Sequence, residues 1–439
     1  MSGAAVAALG FAGMLLLLVL RMPIGLAMLT AGSIGYAWFT SVPIFLNYMK
    51  STPYHLFANY TLSVIPLFIL MGALAEKSGL STALFKAAAS FLGHRRGGLG
   101  MALIGACAGF GAICGSSVAT TATFGRATLP EFKRYNYDPG FATGMVAVGG
   151  TLGILIPPSV ILVVYAITTE QNIAKLFMAA LVPGLMAAVF YCVVIAIMVR
   201  LRPEAGPAVE RVGWRERGQA LVGVWPVMLI AVAVVGGIYG GVFTPTEGAS
   251  VGCIAMLLVG LIQRSLGWEE IKASLIQTAE TSAMIFIILL GAEVFNGFLA
   301  LSQLPATAAE IVTQSGLPPY GVIVGLLVFY IILGGVMDEL AMILLTLPIF
   351  FPIVTALDLG MMPDDIAIWF GILVLMVVGI GLTAPPIGLN VFVVSALARD
   401  VPILETYRGV IPFVAADIVR LALVVAFPAL ALWLVNVLT

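Results

Sequence analysis

Two pairs of adjacent prolines lie inside apolar stretches of the sequence, at Pro157-Pro158 and Pro385-Pro386. Proline has no backbone N–H and disfavours helix in the residue before it, so carbonyl groups in residues 153–156 and 381–384 lose their usual helical partners. Free carbonyls at membrane depth can replace the water around a cation. A single proline kink is commonly only structural. A double proline that follows a glycine by four residues in both halves of the chain instead predicts two broken helices that hold ions.

A string of small residues, Cys114-Gly115-Ser116-Ser117, predicts the tip of a helical hairpin. Glycine lets the chain reverse, and the two half-helices leave unpaired N–H and C=O groups at the tip. The exposed helix N-terminus favours an anion, while free carbonyls suit a hard cation such as sodium. Small residues also occur at close helix contacts, which would need no ligand. Basic residues at both feet, in 94–96 and 133–134, favour the hairpin.

Residues 334–339, Gly-Gly-Val-Met-Asp-Glu, predict a second hairpin tip that carries two adjacent carboxylates. Ionised side chains are costly at membrane depth and are usually functional there. Asp338 or Glu339 could ligate a cation or orient the tip. Either could equally cap the first turn of the following half-helix, without any role in transport. Intramembrane carboxylates also occur in proton-coupled carriers, so proton coupling stays open beside sodium.

The composition places these motifs inside a membrane. Of 439 residues, 61% are hydrophobic and 9% are charged, and the mean hydropathy is +1.13. A soluble protein has about 25% charged residues, so a water-soluble fold is excluded. The apolar length provides about ten to twelve membrane elements in one domain, since a spanning helix needs about 20 apolar residues. The net charge of -1 does not indicate a nucleic-acid partner. The four cysteines lack metal-ligand spacing and are expected to be buried thiols: Cys107, Cys114, Cys192 and Cys253.

Continuous apolar stretches predict membrane spans, while two regions between them, 97–168 and 320–398, are interrupted by Gly, Ser and Pro too often for full crossings. Such interruptions are tolerated at membrane depth only where protein or a water-filled cavity satisfies the backbone. The predicted spans are at about 4–20, 22–41, 63–80, 175–199, 219–243, 248–263, 279–301 and 403–436.

The distribution of basic residues predicts how these elements are oriented. Sixteen of the 20 Lys and Arg residues fall on one side if each interrupted region begins with a hairpin that enters and leaves by the same face. That side should be the cytoplasm. Lys50 and Lys175 fall outside, Arg126 lies within the first hairpin, and Arg420 lies within the last helix. The second hairpin has acidic rather than basic feet, so it should enter from the periplasmic face. Hairpins that enter from opposite faces indicate inverted repeats.

Self-alignment divides the chain in the same way, because the glycine and double proline of 153–158 match those of 381–386. Each half then contains three spans, a hairpin, a broken helix and a final span. The predicted fold class is an all-α polytopic membrane protein built from two inverted-topology repeats. The predicted units are a first repeat at 1–200, with its re-entrant hairpin at about 97–134 and its broken helix at about 140–168; a cytoplasmic loop at 201–218; and a second repeat at 219–439, with its hairpin at about 320–357 and its broken helix at about 365–398.

Four groups of residues together resemble a known family. They are residues 115–120 at the first tip, 150–159 at the first break, Met337-Asp338 with Leu347-Pro348 in the second hairpin, and 385–390 at the second break. Their joint spacing is similar to that of the large membrane (M) subunit, DctM, of tripartite ATP-independent periplasmic (TRAP) transporters, over essentially the whole chain. The resemblance implies an elevator-type ion-transporter fold, in which hairpins and broken helices slide against a scaffold of the other spans.

The same resemblance implies sodium-coupled symport of a small organic acid, such as a dicarboxylate or a sugar acid, across the bacterial inner membrane, and no enzymatic activity. It also implies that the chain lies in the lipid bilayer and works with two protein partners. One is a small four-helix membrane subunit, expected as a separate chain, and the other is a soluble periplasmic substrate-binding protein. No arginine of the cavity-forming elements predicts how many carboxylates the substrate carries.

Matching positions in the family imply at least two Na⁺ sites and a set of substrate contacts. The first sodium site would use Cys114, Ser116 or Ser117 with Gly153, Ile156 and Pro158. The second would use Gly334 or Gly335 with Gly381, Thr383, Ala384 and Ile387, largely through backbone carbonyls. The substrate contacts would be Ser117, Thr120, Asp338, Pro385 and Asn390. The chain departs from the family pattern at Cys114, where serine is common, and at Thr383-Ala384, which replaces a threonine directly before the prolines.

Two further functional classes compete with binding-protein-dependent import. A stand-alone divalent-anion/sodium symporter would have the same inverted architecture but would need no binding protein. An intramembrane protease or lipid-modifying transferase would need facing catalytic groups, whereas Asp338 and Glu339 are adjacent on one element. A non-catalytic scaffold would give the midplane breaks in both halves no evident use. Transport is therefore the favoured hypothesis.

Overall fold

The computed structural model describes residues 3–439, and every regular element in that range is helical. The predicted all-α class is thus confirmed. The first ten helices are α1 (Gly3–Val19), α2 (Ile24–Phe39), α3 (Val42–Phe57), α4 (Val64–Lys77), α5 (Leu80–Leu92), α6 (Gly98–Cys114), α7 (Ser117–Arg134), α8 (Pro139–Leu155), α9 (Val160–Thr168) and α10 (Ile173–Leu201). The next ten are α11 (Trp214–Tyr239), α12 (Pro245–Ile262), α13 (Trp268–Ser302), α14 (Leu304–Gln314), α15 (Pro319–Gly334), α16 (Glu339–Thr355), α17 (Pro363–Gly381), α18 (Leu389–Leu397), α19 (Ile403–Ala426) and α20 (Ala429–Leu438).

Length and composition identify the helices that can cross a membrane. Among the described residues there are seven such helices, and α8 with α9 could form an eighth span that bends by 44°. The arms of both hairpins, α6 with α7 and α15 with α16, are not among them. The seven are α10, α11, α12, α13, α17, α19 and α4 together with the turn before it, Tyr60–Lys77.

The order of hairpin, broken helix and long helix occurs in both halves of the chain. The turn between α6 and α7 is residues 115–116, and the turn between α15 and α16 is residues 335–338. The two breaks differ in length, because four residues separate α8 from α9 whereas seven separate α17 from α18. Both double-proline peptide bonds are cis. The opposite orientation of the two halves stays a prediction from the charge distribution.

Several helix boundaries differ from the predicted spans. Helix α13 begins at Trp268 rather than near 279, because Glu269 and Glu270 suit a helix N-terminus although they are not apolar. The predicted last span, 403–436, is interrupted between α19 and α20 at Phe427-Pro428. Three short helices, α3, α5 and α14, were not predicted as elements, since a hydropathy pattern detects long apolar runs.

Small residues allow the helices around the breaks to approach closely. Helix α8 packs against α6, α7 and α19. At the contact between α8 and α19, a Cβ added to Gly144 would lie only 2.6 Å from the carbonyl carbon of Gly409. Close backbone contact of this kind is how helices associate in lipid, where hydrophobicity does not drive one helix onto another.

A buried polar network ties α8, α10 and α19 together. On α19, Arg420 forms an ion pair with Asp417, at 2.7 Å between Nη2 and Oδ1, and both side chains are inaccessible. The Arg420 guanidinium also donates to the carbonyl oxygen of Pro183 at 3.0 Å. The hydroxyl of Tyr191 donates to the other oxygen of Asp417 at 2.6 Å and lies 3.1 Å from the hydroxyl of Thr151. Each charge is therefore paired inside the protein, as membrane depth requires.

Replacing Asp417 with Asn should destabilise the protein strongly, because it leaves the buried guanidinium of Arg420 without a counter-ion. Removing one partner of a buried ion pair costs about 3–5 kcal/mol, which should appear as a large fall in the apparent Tm of the detergent-solubilised protein. The control is Asp400→Asn. Asp400 is paired with Lys133 at 2.7 Å, but both side chains are exposed, so this change should leave Tm unaltered. Equal falls for both variants would contradict the prediction.

Candidate functional site

The tip of the first hairpin packs directly onto the first double-proline break. Helix α6 ends at Cys114, and Gly115 reverses the chain with a φ of +64°. Ser116 then caps α7, because its Oγ accepts a hydrogen bond from the N–H of Ala119 at 3.4 Å. A Cβ added to Gly115 would lie 3.1 Å from the carbonyl oxygen of Pro158. Glycine is thus required here both for the turn and for the close approach.

Backbone oxygens from the tip and the break come together at this contact. Because Pro157 and Pro158 have no amide hydrogen, the carbonyls of Gly153 and Ile154 have no donor one turn later in the chain. A Cβ added to Gly153 would lie 2.5 Å from the carbonyl oxygen of Ser116. The structure thereby brings together three of the residues predicted for the first sodium site. They are Ser116 from the tip, and Gly153 and Pro158 from the break.

Sequence reasoning missed Ser159 as a member of this site. Its side chain is fully buried, and its hydroxyl has no hydrogen-bond partner among the described residues. Its Cα would lie 3.7 Å from a Cβ added to Gly115 at the tip. A buried, unpaired hydroxyl is costly unless something occupies its lone pairs. Together with the unpartnered carbonyls, this oxygen fits a small hard cation. The sequence feature that could have identified Ser159 is its position directly after the double proline.

The second tip and break are also in close contact. A Cβ added to Gly381 would lie 2.8 Å from the carbonyl carbon of Gly334. The carbonyl of Gly335 accepts a hydrogen bond from the N–H of Ile387 at 3.1 Å. Four residues predicted for the second sodium site therefore meet: Gly334 and Gly335 at the tip, and Gly381 and Ile387 at the break.

More oxygens of the second break already have hydrogen-bond donors. The hydroxyl of Tyr407, which sequence reasoning missed, donates to the carbonyls of Pro386 and Ile387. The hydroxyl of Thr383 donates to the carbonyl of Ile380 at 3.1 Å, and the N–H of Asn390 donates to the carbonyl of Leu382 at 2.9 Å. In this structure the second break therefore offers fewer free oxygens than the first.

Asn390 connects the second break to the first half of the chain. Its Nδ2 donates to the hydroxyl of Ser117 at 2.8 Å and to the carbonyl of Ala147 at 3.0 Å. Its side chain is fully buried, as are those of Ser117 and Thr120. These three residues were predicted as substrate contacts, and the structure places them in packed interior between the tip and the breaks. Pro385 lies on the exposed side of the second break.

A cavity of about 400 Å³ lies between the two hairpin tips. Residues of both tips line it, 114–116 from the first hairpin and 338–340 from the second. The rest of its lining comes from one face each of α4, α7 and α13, and from the start of α9. A larger cavity, of about 710 Å³, lies at the foot of the first hairpin, away from both tips. We assign the functional site to the smaller cavity because both tips meet there.

The two acidic residues of the second tip have different surroundings. Asp338 caps α16, since its Oδ2 accepts from the N–H of Ala341 at 3.3 Å, and it also lines the cavity. Glu339 lies beside it in the first turn, and its Oε2 is buried without a partner among the described residues. The capping role predicted as one alternative for this pair is thus present at Asp338. Both acidic residues line the cavity beside the second tip.

Arg126 also lines the cavity, although no arginine was predicted to contribute to it. Its Nη2 lies 2.8 Å from Oε1 of Glu76 on α4. Nearer the foot of the same hairpin, Lys133 pairs with Asp400 at 2.7 Å, and this hydrogen bond holds the pKa of Asp400 below its usual range. The sequence placed Arg126 within the first hairpin but gave it no role in the cavity; its partner Glu76 lies 50 residues earlier in the chain.

Paired hairpins and broken helices around a cavity at membrane depth define a membrane transport protein. The family model for the DctM component of tripartite ATP-independent periplasmic transporters matches residues 11–430. The chain therefore belongs to this family, whose large permeases are multi-pass proteins of the bacterial inner membrane.

Similar curated proteins are named as transporter permeases rather than as enzymes. The C4-dicarboxylate TRAP transporter large permease protein DctM of Pseudomonas aeruginosa is 38% identical over 380 residues, covering 86% of this chain and 87% of that protein. The ectoine TRAP transporter large permease protein TeaC of Halomonas elongata is 31% identical and covers 96% and 97%. The isethionate TRAP transporter permease protein DctMQ of Oleidesulfovibrio alaskensis is 30% identical over 95% of this chain and 64% of its own, longer chain.

A solved structure supports the fold. The crystal structure of the Alcanivorax borkumensis YdaH transporter, described as having an unusual topology, matches with a TM-score of 0.59 over 89% of each chain. The sequences are 14% identical, so the likeness concerns the fold alone. It agrees with the predicted class of polytopic helical transporter.

Gly381→Ala should force the second tip away from its break, because the new Cβ would meet the backbone of Gly334. Overpacking of this kind costs about 1–3 kcal/mol, measurable as a fall in the apparent Tm in detergent. Gly379→Ala is the matched control on the same helix, since a Cβ there has its nearest neighbour at 3.8 Å, the Cβ of Thr151. The control should be neutral or slightly stabilising. Equal behaviour of the two variants would show that the tip contact is not tight.

Proposed function

We propose that this chain is the large permease of a sodium-coupled TRAP transporter that imports a small organic acid. The proposal rests on one observation: each hairpin tip contacts a double-proline break, and both tips line the same cavity. Unpaired oxygens at the first break provide a cation site of the kind found in secondary transporters. At that site the carbonyls of Gly153 and Pro158 would act with the hydroxyl of Ser159. The carbonyl of Ser116 lies beside them but already accepts from the N–H and the hydroxyl of Thr120.

The second sodium site would use the residues where the other tip meets its break. Gly334, Gly335 and Gly381 would contribute backbone oxygens, and Thr383 would contribute the hydroxyl that Ala384 lacks. Ile387 would take part only if the hydrogen bond from Tyr407 to its carbonyl were released. Hence, we infer that the first site is the better formed in this arrangement of the helices.

The charges of the cavity support coupling of an anion to a cation. Three carboxylates line it, those of Glu76, Asp338 and Glu339, and Arg126 is the one cation among the described lining residues. Because Arg126 is already paired with Glu76, an organic anion would enter a medium of low dielectric constant without a free counter-charge. Sodium bound at the tips would supply that positive charge. Transport of the anion would then depend on the sodium gradient.

The proposed transport cycle is an elevator movement of the hairpins and broken helices against α1–α4 and α11–α13. Helix α4 packs against α12 and α13, which supports its assignment to the fixed part. The lining of the cavity includes Glu76, next to Lys77 at the end of α4, and Gln277, near Lys272 in the first part of α13. Basic residues mark the cytoplasmic side, and we therefore infer that the cavity faces inward in this arrangement.

Membership of the family implies a small membrane subunit and a periplasmic binding protein. The longer isethionate relative, named DctMQ, is consistent with a second membrane component that is joined to the permease in some members. We propose that the small subunit of this permease is a separate chain. The relatives' names include a dicarboxylate, a sulfonate and ectoine, and among these the dicarboxylate relative has the highest identity. Succinate is therefore the first probe.

Reconstituted permease with its small subunit should take up radiolabelled succinate only with external sodium and succinate-loaded binding protein. Omitting any of these components should reduce uptake to the background of empty vesicles. N-acetylneuraminate, isethionate and ectoine serve as alternative probes if succinate is not carried. Full-rate uptake in sodium-free, proton-poised vesicles would contradict sodium coupling. Full-rate uptake without binding protein would instead favour the stand-alone symporter.

Ser159→Ala should raise the sodium concentration for half-maximal uptake by at least about tenfold, because one hydrogen bond or ligand to a charged group is worth about 1.5–3 kcal/mol. Its apparent Tm without sodium should not fall, since the hydroxyl has no partner to lose. Ser282→Ala is the matched control, because Ser282 on α13 is likewise buried with an unpaired hydroxyl. An unchanged sodium requirement in Ser159→Ala would remove Ser159 from the site.

A further inference from the structure

Three helices contribute one face each to the cavity between the tips. Helix α4 contributes positions 69, 72, 73 and 76, α7 contributes 118, 119, 122 and 126, and α13 contributes 277, 281, 284 and 285. These spacings of three and four residues place each set on a single helix face. The lining positions of α7 directly before Arg126 are Ala122 and Ala119, with Val118 beside the tip, so only small side chains lie between Arg126 and Val118.

Three polar side chains meet at the end of the cavity away from the tips. Arg126 Nη2 lies 2.8 Å from Oε1 of Glu76, and Nε2 of Gln277 lies 3.4 Å from the other oxygen of Glu76. Glu76 is enclosed, with 12% of its side chain exposed, whereas 57% of the Arg126 side chain is exposed. A guanidinium has five N–H donors in a planar fork, so Arg126 keeps donors that face open space.

The position of Arg126 along α7 suits a ligand that also reaches the tips. Arg126 follows Ser117 by nine residues, which corresponds to about 13.5 Å along a helix. Side chains in a helix lean towards its N-terminus, and the N-terminus of α7 is the tip itself. This lean favours the cavity between the tips, although Arg126 also lines the larger cavity at the foot of the hairpin. A small organic acid could contact Arg126 at one end and lie beside the tips at the other.

We propose that Arg126 binds a carboxylate of the transported acid and that Glu76 competes with the substrate for Arg126. This inference rests on the proposed function, since it requires an anionic substrate. Arg126 is the one cation among the described residues of a cavity with three carboxylates. Without substrate, the carboxylate of Glu76 takes the place of the substrate carboxylate. Substrate binding therefore exchanges one charge-assisted pair for another.

The pair also joins elements that the proposed movement would separate. Glu76 belongs to α4, which packs against α12 and α13, while Arg126 belongs to the first hairpin. Glu76 can reach Arg126 only when the hairpin lies beside α4, as it does here. In this position Glu76 promotes release of the substrate, and in the other position Arg126 is free to receive it.

Glu76→Gln and Arg126→Gln should change substrate affinity in opposite directions. Binding is measured on the purified complex with the small subunit, at saturating sodium, as the succinate concentration that gives half of the maximal rise in Tm. Glu76→Gln should lower this concentration by about tenfold, because it removes the competitor, and Arg126→Gln should raise it by at least about tenfold. Arg126→Lys, which keeps the charge, should lie between Arg126→Gln and the wild type.

The double variant separates ligand binding from a purely structural ion pair. If the pair only holds α4 to α7, removing both charges should restore the wild-type affinity. If Arg126 binds the substrate, Glu76→Gln/Arg126→Gln should bind as weakly as Arg126→Gln alone. Arg134→Gln is the matched control on α7, since Arg134 pairs with Glu131 at the foot of that helix and does not line the cavity. It should bind as the wild type does.

The outcomes distinguish this assignment from the proposed function. Wild-type affinity in Arg126→Gln, or a shift of both single variants in the same direction, would overturn the assignment while leaving sodium-coupled uptake intact. Absence of stabilisation and of uptake in the wild type with succinate, N-acetylneuraminate, isethionate and ectoine would overturn the proposed function, and this assignment with it.

Discussion

A proline leaves a helix carbonyl without its usual amide donor, and a membrane interior has no water that could donate instead. The packing around the two breaks of this protein follows from that constraint. Two double prolines leave backbone oxygens that lipid cannot satisfy. The breaks must therefore lie against protein or a water-filled cavity, and each hairpin tip contacts one of them. Glycines at 115, 153 and 381 permit the contact, because any side chain there would meet backbone atoms. The cavity between the tips results from the same packing.

The two halves have the same order of hairpin, broken helix and long helix, but the carbonyls at their breaks have different hydrogen-bond partners. At the first break, the Ser159 hydroxyl has no hydrogen-bond partner among the described residues, and the carbonyl of Gly153 faces a proline that cannot donate. At the second break, Tyr407 and the backbone of Asn390 donate to three of the carbonyls, those of residues 382, 386 and 387. The longer gap between α17 and α18 gives room for these donors. Related sequence motifs thus need not produce equivalent sites.

The residues that could be predicted from sequence are those whose effect is local. Pro157-Pro158 and Pro385-Pro386 fix the breaks, and Gly115 fixes the first turn, because backbone chemistry alone requires it. Asp338 could be recognised as a possible cap from its position before a helix. By contrast, the partner of Asn390 is 273 residues away, and that of Arg126 is 50 residues away. Such contacts depend on how helices pack, which hydropathy does not encode. The same limit explains why α3, α5 and α14 were missed.

The ion pair between Asp417 and Arg420 has a consequence for biogenesis. Both charges lie on α19, three residues apart, and they contact each other directly. A helix that carries its own counter-ion enters lipid as a nearly neutral unit, whereas a lone arginine at the centre of a span opposes insertion by about 2.5–3.5 kcal/mol. Helix α19 can therefore leave the insertion machinery before it finds Tyr191 and Pro183 on α10. Assembly of the two halves can follow insertion, and the order of synthesis does not have to match the order of packing.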